Sequence, residues 1–454
     1  MKHWFFWLAF IALGLAPALA VSVSWQDVDL NGDGTLEHLA ITQQADIGFN
    51  EQGQVVGWYP KRTRGQSLES RYGRVNNLVH SELPLPGTVS GFVPDQAEFS
   101  QEGDQLLARF NRGAESLTYL ISANLFTVSL EANFSQPREL TWSGVGGSER
   151  PVTKLLPAGG SEPFPAGRES AIYLAWQTRA NTGSAFVLAP ENPLAAELGY
   201  QAGGAVATIA LPAGKQVLRV YGGPNELIRL YTEGFYSERY PGLFHPNFIG
   251  VITLGVVQLM ELAYGWVGSW GLAILLITIV VRLLLWPLMQ TQLRSMAELN
   301  RLRPEMEKIQ KKFKDDRQKQ AEATMALYKE HKVNPAAGCL PLLLQMPILY
   351  ILYRAIAGYE FNQGFLWVPD LALPDPYYLL PVLYVGIVIA QTLLSAQGNR
   401  QMIQQGLLMN LIFIFLILQF PAGVTLYWVF SMLLGVVQQW LINRSVAKAP
   451  AKAG

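Results

Sequence analysis

Arg282 lies inside an otherwise apolar run, Gly268 to Met289. Crossing a bilayer takes about 20 apolar residues, and this run is long enough. A charge at the centre of such a helix costs about 2.5–3.5 kcal/mol on insertion scales. Twelve Leu, Ile and Val residues between Leu272 and Leu288, at roughly −0.3 to −0.6 kcal/mol each, offset that cost. The segment therefore inserts with its charge, which then needs a polar partner or water. Two readings stand: a working charge within the membrane, or a side chain that snorkels past Trp286 to the cytoplasmic headgroups.

The net charge of zero over 454 residues hides a division. Val21 to His245 carries 16 Lys/Arg against 23 Asp/Glu, and the rest of the chain carries 18 against 11. An acidic exported domain joined to a basic, cytoplasm-facing membrane part has this pattern. Cys339 is the only cysteine, so no intramolecular disulfide forms. An exported domain of about 220 residues must stand on its own core. Residues 1–20 have a signal-type layout: Lys2, an apolar stretch from Trp4 to Leu15, then Pro17 and Ala18-Leu19-Ala20. They are a cleaved signal sequence or a first membrane helix, and either sends the following residues outward.

Residues 21–240 are predicted to form an all-β periplasmic domain of sandwich type. Runs such as Phe126 to Leu130 and Ala205 to Ile209 cluster β-formers between Gly, Pro and Asn. Glu226 to Phe235 is expected to be a helical connector. The segment 245–266 is apolar but carries Glu261 and several glycines, and is predicted to lie along the outer surface as an interfacial helix. An α-helical membrane core follows over 268–443, with five spans: Gly268–Gln290, Gly338–Gly358, Tyr377–Ala396, Gln404–Phe420 and Val424–Ile442. Arg294 to Lys332 holds 11 Lys/Arg, whereas Tyr359 to Pro376 holds Glu360, Asp370 and Asp375 and no Lys or Arg. The positive-inside rule puts the first in the cytoplasm and the second outside. The short tail 444–454 is basic and cytoplasmic. The chain thus reads as a multi-pass membrane protein with its large amino-terminal domain outside, which the resemblance below makes the periplasm of a bacterial inner membrane.

Within 291–335, Leu299, Leu302, Met306, Ile309 and Phe313 recur at intervals of three and four, the stripe of a helix that packs on a partner. A turn at Lys314-Asp315-Asp316 and a return helix with Ala321, Met325 and Tyr328 complete a cytoplasmic helical hairpin of about 20 residues per arm. Its charges form a solvated surface or a docking face for nascent chains, ribosome or targeting factors.

Thr278 sits one turn before Arg282, on the same helix face. Gln345 lies in the next span, and Tyr427, Trp428 and Gln438 in the last. These groups either bond across helices around a wet cavity or satisfy themselves locally: Thr278 on its own backbone, Tyr427 and Trp428 as interfacial aromatics. Arg354, near Tyr353 and Tyr359, reads as a snorkelling residue. Asp29 to Glu37 spaces oxygen ligands as calcium loops do but has Ala40 at loop position twelve. A shorter calcium loop using Glu37 and a plain Asn-Gly-Asp-Gly turn both remain open. No phosphate loop, nucleophile elbow, zinc site or nucleic-acid motif occurs, and no cofactor or catalytic residue is expected.

Several motifs carry a resemblance. These are Trp270-Gly271, Thr278 and Arg282 with Pro287; Ala326-Leu327-Tyr328-Lys329; Val333-Asn334-Pro335 and Gly338-Cys339; Pro341 to Pro347; Asp375-Pro376-Tyr377-Tyr378; and Phe420-Pro421-Ala422-Gly423 through Leu426-Tyr427-Trp428. Over about 245–443 the chain resembles the YidC/Oxa/Alb membrane protein insertases, of the bacterial type with a large periplasmic domain. The resemblance implies a five-helix core around a hydrophilic groove, open to cytoplasm and lipid and closed outside. Arg282, Thr278 and Gln345 take the family's groove positions. Tyr427 and Trp428 take those of a tyrosine pair that faces substrate, with Trp in place of the second Tyr. It further implies an insertase and chaperone, not an enzyme, that acts on nascent membrane proteins alone or with the Sec translocon. The short tail leaves only weak ribosome contact through hairpin and tail. Two rival readings are a secondary transporter with an anion-binding intramembrane arginine, which normally shows repeated halves, and a β-domain enzyme or sugar binder on an anchor, for which one span suffices.

Overall fold

The computed structural model describes residues 23–448 except 31, 62–76, 80–81, 145–151, 158–166, 180–181, 202–203, 315, 332–339, 362 and 397–399. The signal-like segment 1–20, the end of the tail and Cys339 lie outside the described residues. The chain divides into two compact units. One holds 20–251 with 358–360, and the other holds 252–357 and 361–454.

Among its described residues the first unit is all-β apart from one short helix and the start of the next. β1 (Ser24–Val28), β2 (Glu37–Ile41), β3 (Ala45–Phe49) and β4 (Val55–Pro60) form an antiparallel four-stranded sheet in chain order. A second, twelve-stranded sheet runs from Thr88 to Pro224 along the chain, and its order is far from sequential. At its middle, β13 (Thr182–Pro190) pairs β16 (Gly214–Pro224), which pairs β9 (Thr127–Phe134). The β-rich runs read from sequence fall in β9 and in β15 (Gly204–Leu211). One core joins both sheets. Trp58 stands edge-on to Phe186 at 5.2 Å, and its indole N–H donates to the Gly222 carbonyl at 2.7 Å, so its one polar atom is satisfied. This sandwich-like unit needs no disulfide because its aromatic core is large: Trp58, Trp142 and Trp176 are all fully buried.

Glu233 closes the short helix α1 (Leu227–Thr232). Its carboxylate accepts from the Phe126 backbone N–H at 2.7 Å and from the Thr127 hydroxyl. Burial dominates over these bonds and pushes the carboxyl up to about 7.

The second unit is helical. α2 (Phe248–Val267) and α3 (Trp270–Arg301) are separated only by Gly268 and Ser269. Then come α4 (Arg303–Lys312), α5 (Arg317–Glu330), α6 (Leu340–Ala357), α7 (Leu379–Ala396), α8 (Arg400–Ile417) and α9 (Ala422–Lys448). Among the described residues, α2 and the Trp270–Pro287 part of α3 are long and apolar enough to cross a membrane. Shorter apolar stretches lie in α7, α8 and α9. The five segments expected to span fall in α3, α6, α7, α8 and α9. The hairpin differs from the expected two arms of equal length. α3 runs on as far as Arg301, and a new helix starts after Leu302, with Pro304 in its first turn. Proline has no N–H to continue the first helix and fits an N-terminal turn. α4 and α5 are therefore 10 and 14 residues long. Asp316 caps α5 by accepting from the Lys319 N–H at 3.0 Å.

The turn of Pro421-Ala422-Gly423 is tied to the α6–α7 loop. The Ala422 and Gly423 N–H groups, unpaired within their helix, donate to the Leu373 and Leu371 carbonyls at 2.7 and 2.9 Å. A Cβ on Gly423 would stand 3.1 Å from both Ile274 and Ile356, so a larger residue there would need those side chains to shift. Asp375 holds the other side of the loop. It accepts from the Tyr377 and Leu380 N–H groups, at 3.0 and 2.7 Å, and from the Trp367 indole, at 3.1 Å.

A carboxyl whose folded pKa lies above its unfolded value binds more protons when folded. Its stabilising contribution is complete below about pH 4.5 and is lost as pH rises through about 7. The difference in urea resistance of the β unit between pH 5 and pH 8, read by pulse proteolysis, should include a Glu233 term on the order of 3 kcal/mol. In Glu233→Gln this part of the pH dependence should vanish, and an unchanged profile would contradict the assignment.

Candidate functional site

Arg282 on α3 donates its Nε–H to the hydroxyl of Ser431 on α9 at 2.8 Å. Ser431 lies nine residues into α9, about 14 Å along the axis from its start, and Arg282 lies about 18 Å from the start of α3. The guanidinium is thus fastened to a neighbouring apolar helix.

Gln345 on α6 donates its amide to the Tyr427 hydroxyl at 3.1 Å. Ser431 lies one turn beyond Tyr427 on the same face of α9. The pairs Arg282–Ser431 and Gln345–Tyr427 thus stand one turn apart on α9, and three helices contribute to this polar chain. Such bonding satisfies groups that have no water in hydrocarbon. Gly435 lies one turn past Ser431, and a Cβ there would be 3.5 Å from both terminal nitrogens of Arg282.

The other sequence candidates stand apart from this chain. Thr278 is fully buried and donates its hydroxyl to the Ile274 carbonyl at 2.7 Å, so it satisfies its own helix. Trp428 turns away from Tyr427 into an aromatic cluster. It lies 5.4 Å from the rings of Tyr384 and Phe413 and 6.3 Å from Phe420. Gln438 is buried, and its amide nitrogen has no partner among the described residues. Arg354 reaches only the Tyr350 hydroxyl, at 3.5 Å.

Sequence reasoning passed over Ser431 and Gly435. A serine inside an apolar helix reads as bonded to its own backbone, and a glycine as a packing residue. Only the four-residue spacing Tyr427, Ser431, Gly435 marks them as one face.

The Asp29 loop uses its carboxylates on itself. Asp29 accepts from the Gly32 and Gly34 N–H groups, Asp33 from Thr35, and Glu37 from Leu30. This bonding fits the tight-turn reading. Among the described residues no group of His, Cys, Asp and Glu is arranged to hold a metal.

Residues 262–449 match the family model described as 60Kd inner membrane protein. The membrane protein insertase YidC of Deinococcus radiodurans is 38% identical over 327 residues, covering 69% of this chain and 76% of that one. The chain belongs to the YidC membrane protein insertase family. YidC of Laribacter hongkongensis is 36% identical over 295 residues, and there the match covers 62% of this chain and only 52% of the relative. A crystal structure of an active YidC insertase, with its first transmembrane domain resolved, superposes with a TM-score of 0.59 at 21% identity. That match covers 96% of this chain and 98% of the other and shows a shared fold. The family match takes in every residue of the polar chain, Arg282, Gln345, Tyr427 and Ser431.

If the Gln345–Tyr427 bond holds α6 to α9, Tyr427→Phe should leave the Gln345 amide unpaired and loosen that contact, at about 1–3 kcal/mol. Disulfide trapping between cysteines placed on α6 and α9, in a Cys339→Ser background, should become less selective in Tyr427→Phe. Identical trapping would show that the bond carries no weight.

Proposed function

We propose that this chain inserts membrane proteins into the bacterial inner membrane, with the polar chain around Arg282 as the floor of a groove that takes a hydrophilic client segment. The observation that carries the reading is the bond of the Arg282 guanidinium to Ser431 on a neighbouring apolar helix. No bond is made or broken. A polar client segment entering the groove crosses only part of the hydrocarbon. The positive charge attracts its acidic residues more strongly than it would in water. The client's apolar helix then partitions into lipid, which supplies the drive, with the membrane potential adding to it for negative segments.

In this reading α3, α6, α7, α8 and α9 are the five spans and α2 lies along the outer interface. The β unit stands in the periplasm. The α4–α5 hairpin and the basic tail face the cytoplasm, where nascent chains and, weakly, the ribosome meet them. The Sec translocon is a partner for larger clients. The bonds that tie Gly423 and Asp375 to the α6–α7 loop fit a groove closed toward the outside.

Two measurements test this. In a Cys339→Ser background, cysteines at Gln52 and Lys314, both exposed, should react with an impermeant reagent from opposite sides of the membrane. Labelling from one side alone would break the topology. In proteoliposomes, Arg282→Lys should keep much of the activity. Arg282→Ala should lower insertion of a single-span client with an acidic translocated segment about tenfold, and a neutral counterpart far less. Equal rates for both clients in every variant would remove Arg282 from the mechanism, and transport of a small anion without insertion would favour the transporter instead.

A further inference from the structure

A guanidinium carries five N–H donors in a planar fork, and a carboxylate can meet it from two sides: through Nε and one terminal nitrogen, or end-on through both terminal nitrogens. In this chain Ser431 occupies the Nε side at 2.8 Å. The two terminal nitrogens have no hydrogen-bond partner among the described residues. Beside them α9 carries Gly435, where even a single Cβ would come to 3.5 Å of both. Ser431 is itself buried, while Arg282 is half-buried.

We infer that Ser431 is a positioning residue that turns the Arg282 fork end-on toward the groove, and that Gly435 keeps that end open, so that a client carboxylate is recognised by the two terminal nitrogens together. This rests on the groove reading proposed above. Ser431 acts through Arg282 and touches no client. Its hydroxyl accepts from Nε, one turn along α9 from the Gln345–Tyr427 pair. Gly435 acts by leaving space: a larger side chain at that position would sit on the terminal nitrogens. The charge alone would draw any acidic segment, whereas the oriented fork selects a planar carboxylate at a defined place.

The test uses the full-length protein in proteoliposomes and two single-span clients that differ only in Asp or Asn residues of the translocated segment. The quantity read is the ratio of acidic to neutral client inserted, which a general loss of folding does not move. Ser431→Ala should lower this ratio roughly three- to tenfold, and Ser431→Thr, which keeps the hydroxyl, should restore it. Gly435→Leu should lower it as Ser431→Ala does. Arg282→Ala serves as the reference. If Arg282→Ala lowers the ratio and Ser431→Ala does not, or if Ser431→Thr behaves like Ser431→Ala, the positioning role is overturned while the groove reading stands. An equal fall for both clients in Ser431→Ala, which leaves the ratio unchanged, also overturns it. If Arg282→Ala itself leaves the ratio unchanged, the groove reading falls and takes this inference with it.

Discussion

A cation within an apolar helix must be solvated by something, and in the helical unit Arg282 meets part of that need through Ser431 on α9. Isolated in hydrocarbon it would cost several kcal/mol. Here one of its five donors is bonded to Ser431 and the others are left beside a glycine. Full satisfaction by protein would have made a structural ion site. Partial satisfaction leaves donors that water or a client must complete, and that incompleteness is what the proposed insertion mechanism uses. The Gln345–Tyr427 bond and the loop contacts of Gly423 and Asp375 hold the surrounding helices, so the site does not relax by collapsing onto the charge.

The helices were legible because hydropathy and helix length report on the same physics, burial in lipid or in apolar neighbours. Arg282 stood out for the same reason, as a charge where every neighbour is apolar. The hairpin was legible in its stripe but not in its arm lengths, since Pro304 moves the break into what reads as one periodic helix. Ser431 and Gly435 were not legible, because what they do depends on which helix stands opposite, and that pairing is nonlocal. Trp428 illustrates the same limit: adjacent to Tyr427 in sequence, it faces another direction, into the ring cluster of Tyr384, Phe413 and Phe420. In the β unit the strands could be read from residue type, but not the order of the twelve-stranded sheet, in which Phe134 of β9 pairs the distant Gly214 of β16.

The β unit is stabilised by different means. Its large aromatic core takes the place of disulfides, and it tolerates a buried carboxyl at Glu233 whose protonation near neutral pH sets part of its stability.

In the proposed reading the space beside the Arg282 fork is wet and open on the hairpin side. A cysteine at Gly435 in a Cys339→Ser background reports on it directly, since a thiol beside a guanidinium ionises readily and reacts when water reaches it. Modification is expected by an impermeant thiol reagent added on the side of the α4–α5 hairpin, and none from the other side. A thiol that stays unmodified from both sides in the folded protein, yet reacts after denaturation, would contradict it.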